Sequence, residues 1–139
     1  MNRLMRQAKE RDQIRGRENR IRVKQEKKII AYKAPNGMLF KIYTRPIEEG
    51  GEPIVKTAEA ELYSTAHKTH TLGGGRVCLA SSLRGWDLTR ILFQCDSWAR
   101  GYEIYQETGR FPDDPRQSFS RAARQRETRP KSFLERIFS

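Results

Sequence analysis

WDLTRILFQCDSWARGYEIYQETGRFP, residues 86–112, is the most regular run in the chain. Leu88, Ile91, Leu92, Cys95, Trp98, Ala99, Tyr102 and Tyr105 recur at i, i+3, i+4 and i+7, so a helix here has one apolar face. Asp87 stands where its carboxylate can cap the first amides, and Gly109 with Pro112 beyond it supplies a stop. A helix apolar on one side must cover something, and the upstream residues supply the surface.

Residues 29–46 read IIAYKAPNGMLFKIYTRP, two β-rich runs, Ile29–Lys33 and Met38–Thr44, around Asn36-Gly37. Both turn residues tolerate positive φ, which predicts a hairpin. Leu39, Lys41 and Tyr43 alternate with Phe40 and Ile42, the pattern of a sheet with one face on a core. PIEEGGEP (46–53) reads as a loop, and Ile54–Tyr63 as a third strand with Ala58, Ala60 and Leu62 on one side. His67 to Gly75 has no apolar period and ends in three glycines, so irregular backbone is expected before Val77-Cys78-Leu79.

At the other end, residues 2–27 lack Pro and are rich in Arg, Lys, Gln and Glu. They predict a charged helix with a thin apolar seam through Leu4, Ala8, Ile14, Ile21 and Val23. The order helix, antiparallel strands, cysteine-bearing loop, helix is α+β. The 139 residues suit one core with appendages. The expected division is a basic N-terminal helix (1–27), a core (28–115) and a basic C-terminal extension (116–139). Phe133, Leu134, Ile137 and Phe138 in the extension form a short apolar face that docks on the core or on a partner.

The formal charge of +11 is concentrated at the ends. Residues 1–28 hold eleven Lys/Arg against four acids and residues 116–139 seven against two, whereas 29–115 hold ten against eleven. Basic tails attract any polyanion with little sequence information, so nucleic acid is not expected as a partner of the core. No secretory apolar region and no long apolar span occurs, and the two cysteines lack a CxxC. We expect a cytoplasmic protein with reduced thiols and no membrane association. His67 and His70 with Cys78 and Cys95 lack the short ligand spacing of structural zinc, so neither metal nor cofactor is expected.

Cys95 falls on the apolar helix face beside Ile91, Leu92, Trp98 and Ala99, where burial raises a thiol's pKa and keeps it inert. Cys78 follows small, flexible residues that another chain can approach closely. It is either a small core residue or a nucleophile. A thiolate needs a base or cation nearby, and His70, eight residues upstream, is the candidate. A Cys–His–Asp arrangement with Asp87 or Asp96 is the alternative chemistry, although Asp87 is better explained as a helix cap.

The sequence of features His70, Gly75-Arg76-Val77-Cys78-Leu79, Trp86 and the amphipathic helix resembles the catalytic segment of ubiquitin-conjugating enzymes. Trp98, Tyr102, Glu103, Tyr105, Thr108, Gly109 and Pro112 are similar to the prokaryotic members in particular. The resemblance spans about residues 28–115, and Glu52-Pro53 fits the family's proline-containing loop. It implies the ubiquitin-conjugating-enzyme fold and a transferase that accepts a ubiquitin-like modifier from an activating enzyme as a thioester on Cys78. The modifier then passes to a lysine of a protein substrate. The family's His-Pro-Asn triplet is absent, since residues 67–72 read HKTHTL, and His70 or a backbone N–H of Gly73–Gly75 would take over at the oxyanion. Bacterial relatives stand in operons with an activating enzyme, a modifier and a deconjugating metalloprotease, some of them in antiphage defence. Two other readings remain: a non-catalytic adaptor of the same fold, and a basic nucleic-acid-binding module driven by the tails.

Overall fold

The computed structural model describes residues 2–13, 19–62 and 71–112. The fold is α+β, with an antiparallel six-stranded sheet and two helices on one of its faces. Helix α1 (Arg3–Asp12) leads into β1 (Ile21–Lys24), β2 (Ile29–Lys33) and β3 (Leu39–Tyr43). A single-turn helix α2 (Arg45–Glu48) precedes β4 (Ile54–Thr57), and β5 (Thr71–Gly73) and β6 (Arg76–Val77) precede the long helix α3 (Leu88–Thr108). The strand order is β1-β2-β3-β4-β6-β5, a meander closed on one side by a short hairpin whose second strand pairs with β4.

The expected hairpin forms at Asn36-Gly37: the Asn36 side chain accepts from Met38 N at 3.1 Å, and Gly37 takes φ +91°. Phe40 and Ile42 point inward with Ile30, Tyr32 and Val55, while Leu39 and Lys41 face solvent. Helix α3 has the expected limits. Asp87 Oδ1 accepts from Arg90 N at 2.8 Å, and Gly109, left-handed at φ +76°, donates its N–H to Tyr105 O. Its apolar face buries Leu88, Ile91, Cys95, Trp98 and Tyr102.

Three expectations are corrected. The helix predicted over 2–27 ends at Asp12, and Ile21–Lys24 is a sheet strand paired residue for residue with Tyr32–Ile29. Ile21 and Val23 alternate with Arg22 and Lys24, a period of two that favours a strand over the helix suggested by charge-rich composition. Leu4, Met5 and Ala8 of α1 are buried in the same core, so the packed unit extends upstream of residue 28. The third strand stops at Thr57, opposite Phe40, and the chain turns into a 3-10 helix over Ala58–Leu62. Thr57 Oγ1 donates to Leu39 O at 2.7 Å, filling an acceptor where the ladder ends. Within the stretch expected to be irregular, Thr71–Gly73 pairs with Arg76–Val77. Residues 14–18, 63–70 and the extension from 113, with the apolar face at 133–138, lie outside the described residues. None of the described helices is long and apolar enough to cross a membrane.

Trp98 is the central core residue. Its ring meets Phe40 edge-on at 6.1 Å, stacks on Tyr102 at 5.3 Å and touches Phe111 at 5.7 Å between centroids. Phe111 reaches it because the chain reverses at Gly109 and folds back over Gly101, where an added Cβ would lie 2.7 Å from the Phe111 ring. Mid-helix glycine is therefore imposed by packing. Alanine in a helix is ordinarily favoured over glycine by about 1 kcal/mol, but overpacking costs about 1–3 kcal/mol, so Gly101→Ala is expected to destabilise. In a Phe111→Ala background the same change is expected to stabilise. Urea titration of the four proteins checks this cycle, and stabilisation by Gly101→Ala in the wild-type background would contradict it.

Candidate active site

Cys78 follows directly from β6. Gly73, Gly74 and Gly75 take φ of +86°, +60° and +81°, and Thr57 N donates to Gly75 O at 2.9 Å. Successive positive φ values are inexpensive only for glycine, so the run is the turn that brings the chain back along β4 to Cys78. Val77 and Leu79 are buried and Cys78 between them is half-buried, the alternation of an extended segment leaving a core. Its thiol donates weakly to Ala80 O at 3.8 Å.

The residues after Cys78 have no ladder, and side chains from distant parts of the sequence hold them. Leu79 and Leu83 are buried, and Ala80 and Trp86 pack against the core. The Glu52 carboxylate accepts from Ser82 Oγ at 2.7 Å and from Leu83 N at 3.0 Å. The Ser82 hydrogen bond, then the Leu83 amide, and then the field of Arg84 and Arg76 hold the Glu52 carboxyl below its ordinary range. Arg84 donates in turn to Gly50 O, so the loop between α2 and β4 and the stretch after Cys78 fasten each other. Downstream, Arg3 of α1 donates to Gly85 O at 2.8 Å and Trp86 O at 3.0 Å, and Gln7 Oε1 accepts from Leu88 N at 2.8 Å. The Arg90 guanidinium lies 3.8 Å from the Trp86 ring centroid.

The second thiol is sealed. Cys95 is fully buried, and desolvation, with a smaller effect from Asp96, pushes it well above the ordinary thiol range, as its place on the apolar face implied. The two acids considered for a Cys–His–Asp arrangement have other tasks. Asp87 caps α3. Asp96 accepts from Tyr32 Oη at 2.6 Å, tying β2 to α3; burial raises this carboxyl, and burial with the Asp96 bond raises the Tyr32 phenol. His67 and the supporting residue His70 lie outside the described residues. Glu52, Arg3 and Gln7 had no motif to announce them; Glu52 was visible only as part of the Glu52-Pro53 element. No family model, no curated protein and no solved structure matches this chain.

The fastening has a pH signature. Because the folded Glu52 pKa is depressed, its contribution is fully present above the ordinary value of 4.5 and is lost as pH falls through the lower folded value. Replacing Glu52 with Ala is expected to lower stability by about 1 kcal/mol at pH 7. The gap should narrow below about pH 4, because the wild type alone loses the interaction as its carboxylate is protonated. Denaturant titrations at the two pH values check it; a gap that does not depend on pH would remove the carboxylate from its anchoring role.

Proposed function

We propose that the chain adopts a ubiquitin-conjugating-enzyme-like fold and is a transferase that carries a ubiquitin-like protein as a thioester on Cys78. The observation that carries the reading is the contrast between the two thiols: Cys95 is sealed in the core, while Cys78 is half-exposed at the end of a glycine-turned hairpin. The element order supports it, with an N-terminal helix, an antiparallel sheet, the cysteine-bearing segment and a long helix in the sequence expected from the resemblance.

In the reaction, the Cys78 thiolate attacks the carbonyl carbon of the modifier's C-terminal residue, held as a thioester on an activating enzyme. The new C–S bond forms as the activating enzyme's thiolate leaves, so no redox partner is needed. A lysine amine of the protein substrate then attacks the same carbon, Cys78 departs as thiolate and the amine loses a proton. The chain's part is chiefly positional: the anchored residues 79–86 hold the thiol in place, and nearby amides or His70 would serve the oxyanion. Glycines in the turn keep the approach narrow and free of side chains, which suits a modifier with a slender terminus. This assignment makes the protein a cytoplasmic component of a bacterial modifier-conjugation system, with antiphage defence as one setting.

The test is to incubate the protein with its activating enzyme, ATP and the modifier. A dithiothreitol-labile adduct of the modifier's mass is expected on wild type and on Cys95→Ala, and none on Cys78→Ala. Cys78→Ser should give an adduct that resists dithiothreitol, as an oxyester does. An undiminished adduct on Cys78→Ala contradicts the site. Binding of the charged activating enzyme without transfer favours the adaptor reading.

A further inference from the structure

The strands carry charge of one sign only. Among the described residues, the charged strand positions are Arg22, Lys24, Lys33, Lys41, Lys56 and Arg76, with no Asp or Glu. All six occupy outward positions of the sheet, since Ile21, Ile30, Tyr32, Phe40, Ile42, Val55 and Val77 occupy the inward ones; at the edge strand the Arg22 guanidinium bends back to Asp12 at the end of α1. Four of the cations fall in one row: Arg22 is opposite Ala31, Ala31 opposite Lys41, Lys41 opposite Lys56, and Lys56 opposite Arg76. The near-neutral sum over residues 29–115 conceals this, because none of the described acids of that span lies on a strand.

Like charges directly opposite in a sheet destabilise it, and this row does so twice in succession. The flanking row places Tyr43 between Ile29 and Ile54, with the Lys56 ammonium 5.3 Å from the Tyr43 ring centroid. Leu39, 63% exposed, lies on the same face but across the cation row, opposite Lys33. No described element lies over it. Arg22 reaches Asp12 at 3.4 Å, and Glu52 near Arg76 is committed to Ser82 and Leu83.

We propose that this outer sheet face binds single-stranded nucleic acid, the phosphates following the Arg22–Lys41–Lys56–Arg76 row and a base resting on Tyr43. Four inter-strand steps of about 4.8 Å make the row about 19 Å long, room for a short stretch of extended single strand with its successive phosphates near successive cations. A repulsive cation row beside an outward aromatic is the combination that single-strand binders use, charge for the backbone and a ring for the base. The face lies on the folded core, apart from the basic tails and from the thioester chemistry of Cys78, so either assignment can fail without the other.

The test uses the full chain and a fluorescein-labelled 12-nucleotide oligo(dT), read by anisotropy across a salt series. Lys41→Gln/Lys56→Gln is expected to weaken binding by about tenfold and to reduce the salt slope by about 1.4, two phosphate contacts at 0.7 each. Its thermal midpoint should stay at or above wild type, because the opposed charges are gone. Arg6→Gln/Lys9→Gln, equal in charge and on exposed positions of α1, should change affinity by less than about twofold if the row is the site. Tyr43→Ala should cost about tenfold on the single strand and little on a duplex of the same length. Equal losses in the two double variants, an unaffected Tyr43→Ala, or tighter binding of poly-glutamate than of the oligonucleotide would each overturn the proposal.

Discussion

The Trp98 indole is the point at which sheet, long helix and returning chain meet, and the remaining geometry is set from it. A buried aromatic of this size removes about 150–250 Å² from water, worth about 4–6 kcal/mol at 25 cal/mol per Å². Its edge-on contact with Phe40 fixes α3 on β3, and its contact with Phe111 fixes the reversal after Gly109. Tyr32 and Asp96 add a polar tie on the same seam. With α3 held along the sheet, its N-terminus has a defined position, and α1 reaches that position through Gln7 and Arg3.

Cys78 depends on this frame without belonging to it. Strand β6 is two residues long, and residues 78–87 contribute no sheet ladder. The stretch is positioned by two buried leucines, one carboxylate and one guanidinium from elsewhere in the chain. Such fastenings can be weakened individually while the core stays intact. Cys95, by contrast, cannot be exposed without separating α3 from the sheet.

Elements governed by strong periodicity were legible in the sequence. The α3 face, its two caps and the Asn36-Gly37 hairpin follow from local rules that tertiary context did not override. Strand β1 was obscured because its two cations and charged neighbours resemble a solvated helix, and only pairing with β2 selects the period of two. The β5–β6 hairpin was obscured because three consecutive glycines carry no apolar pattern, although their positive φ values make the turn. Glu52 is a matter of long-range partners, thirty and thirty-one residues away in sequence, which no local spacing encodes. The cation row was invisible to a sum of charges, since strand alternation and acid-rich turns separate what the sum cancels.

The proposal that Cys78 is an acyl acceptor while Cys95 stays sealed can be tested without any protein partner. The native chain is incubated with a peptide thioester ending in Gly-Gly, and the acylated residue is mapped by mass spectrometry before and after hydroxylamine. A single hydroxylamine-labile acyl group is expected on Cys78, with Cys95 modified only after denaturation. Acylation of Cys95 in the native protein at a rate matching Cys78, or a native Cys78 that stays unmodified while the unfolded chain reacts, would contradict it.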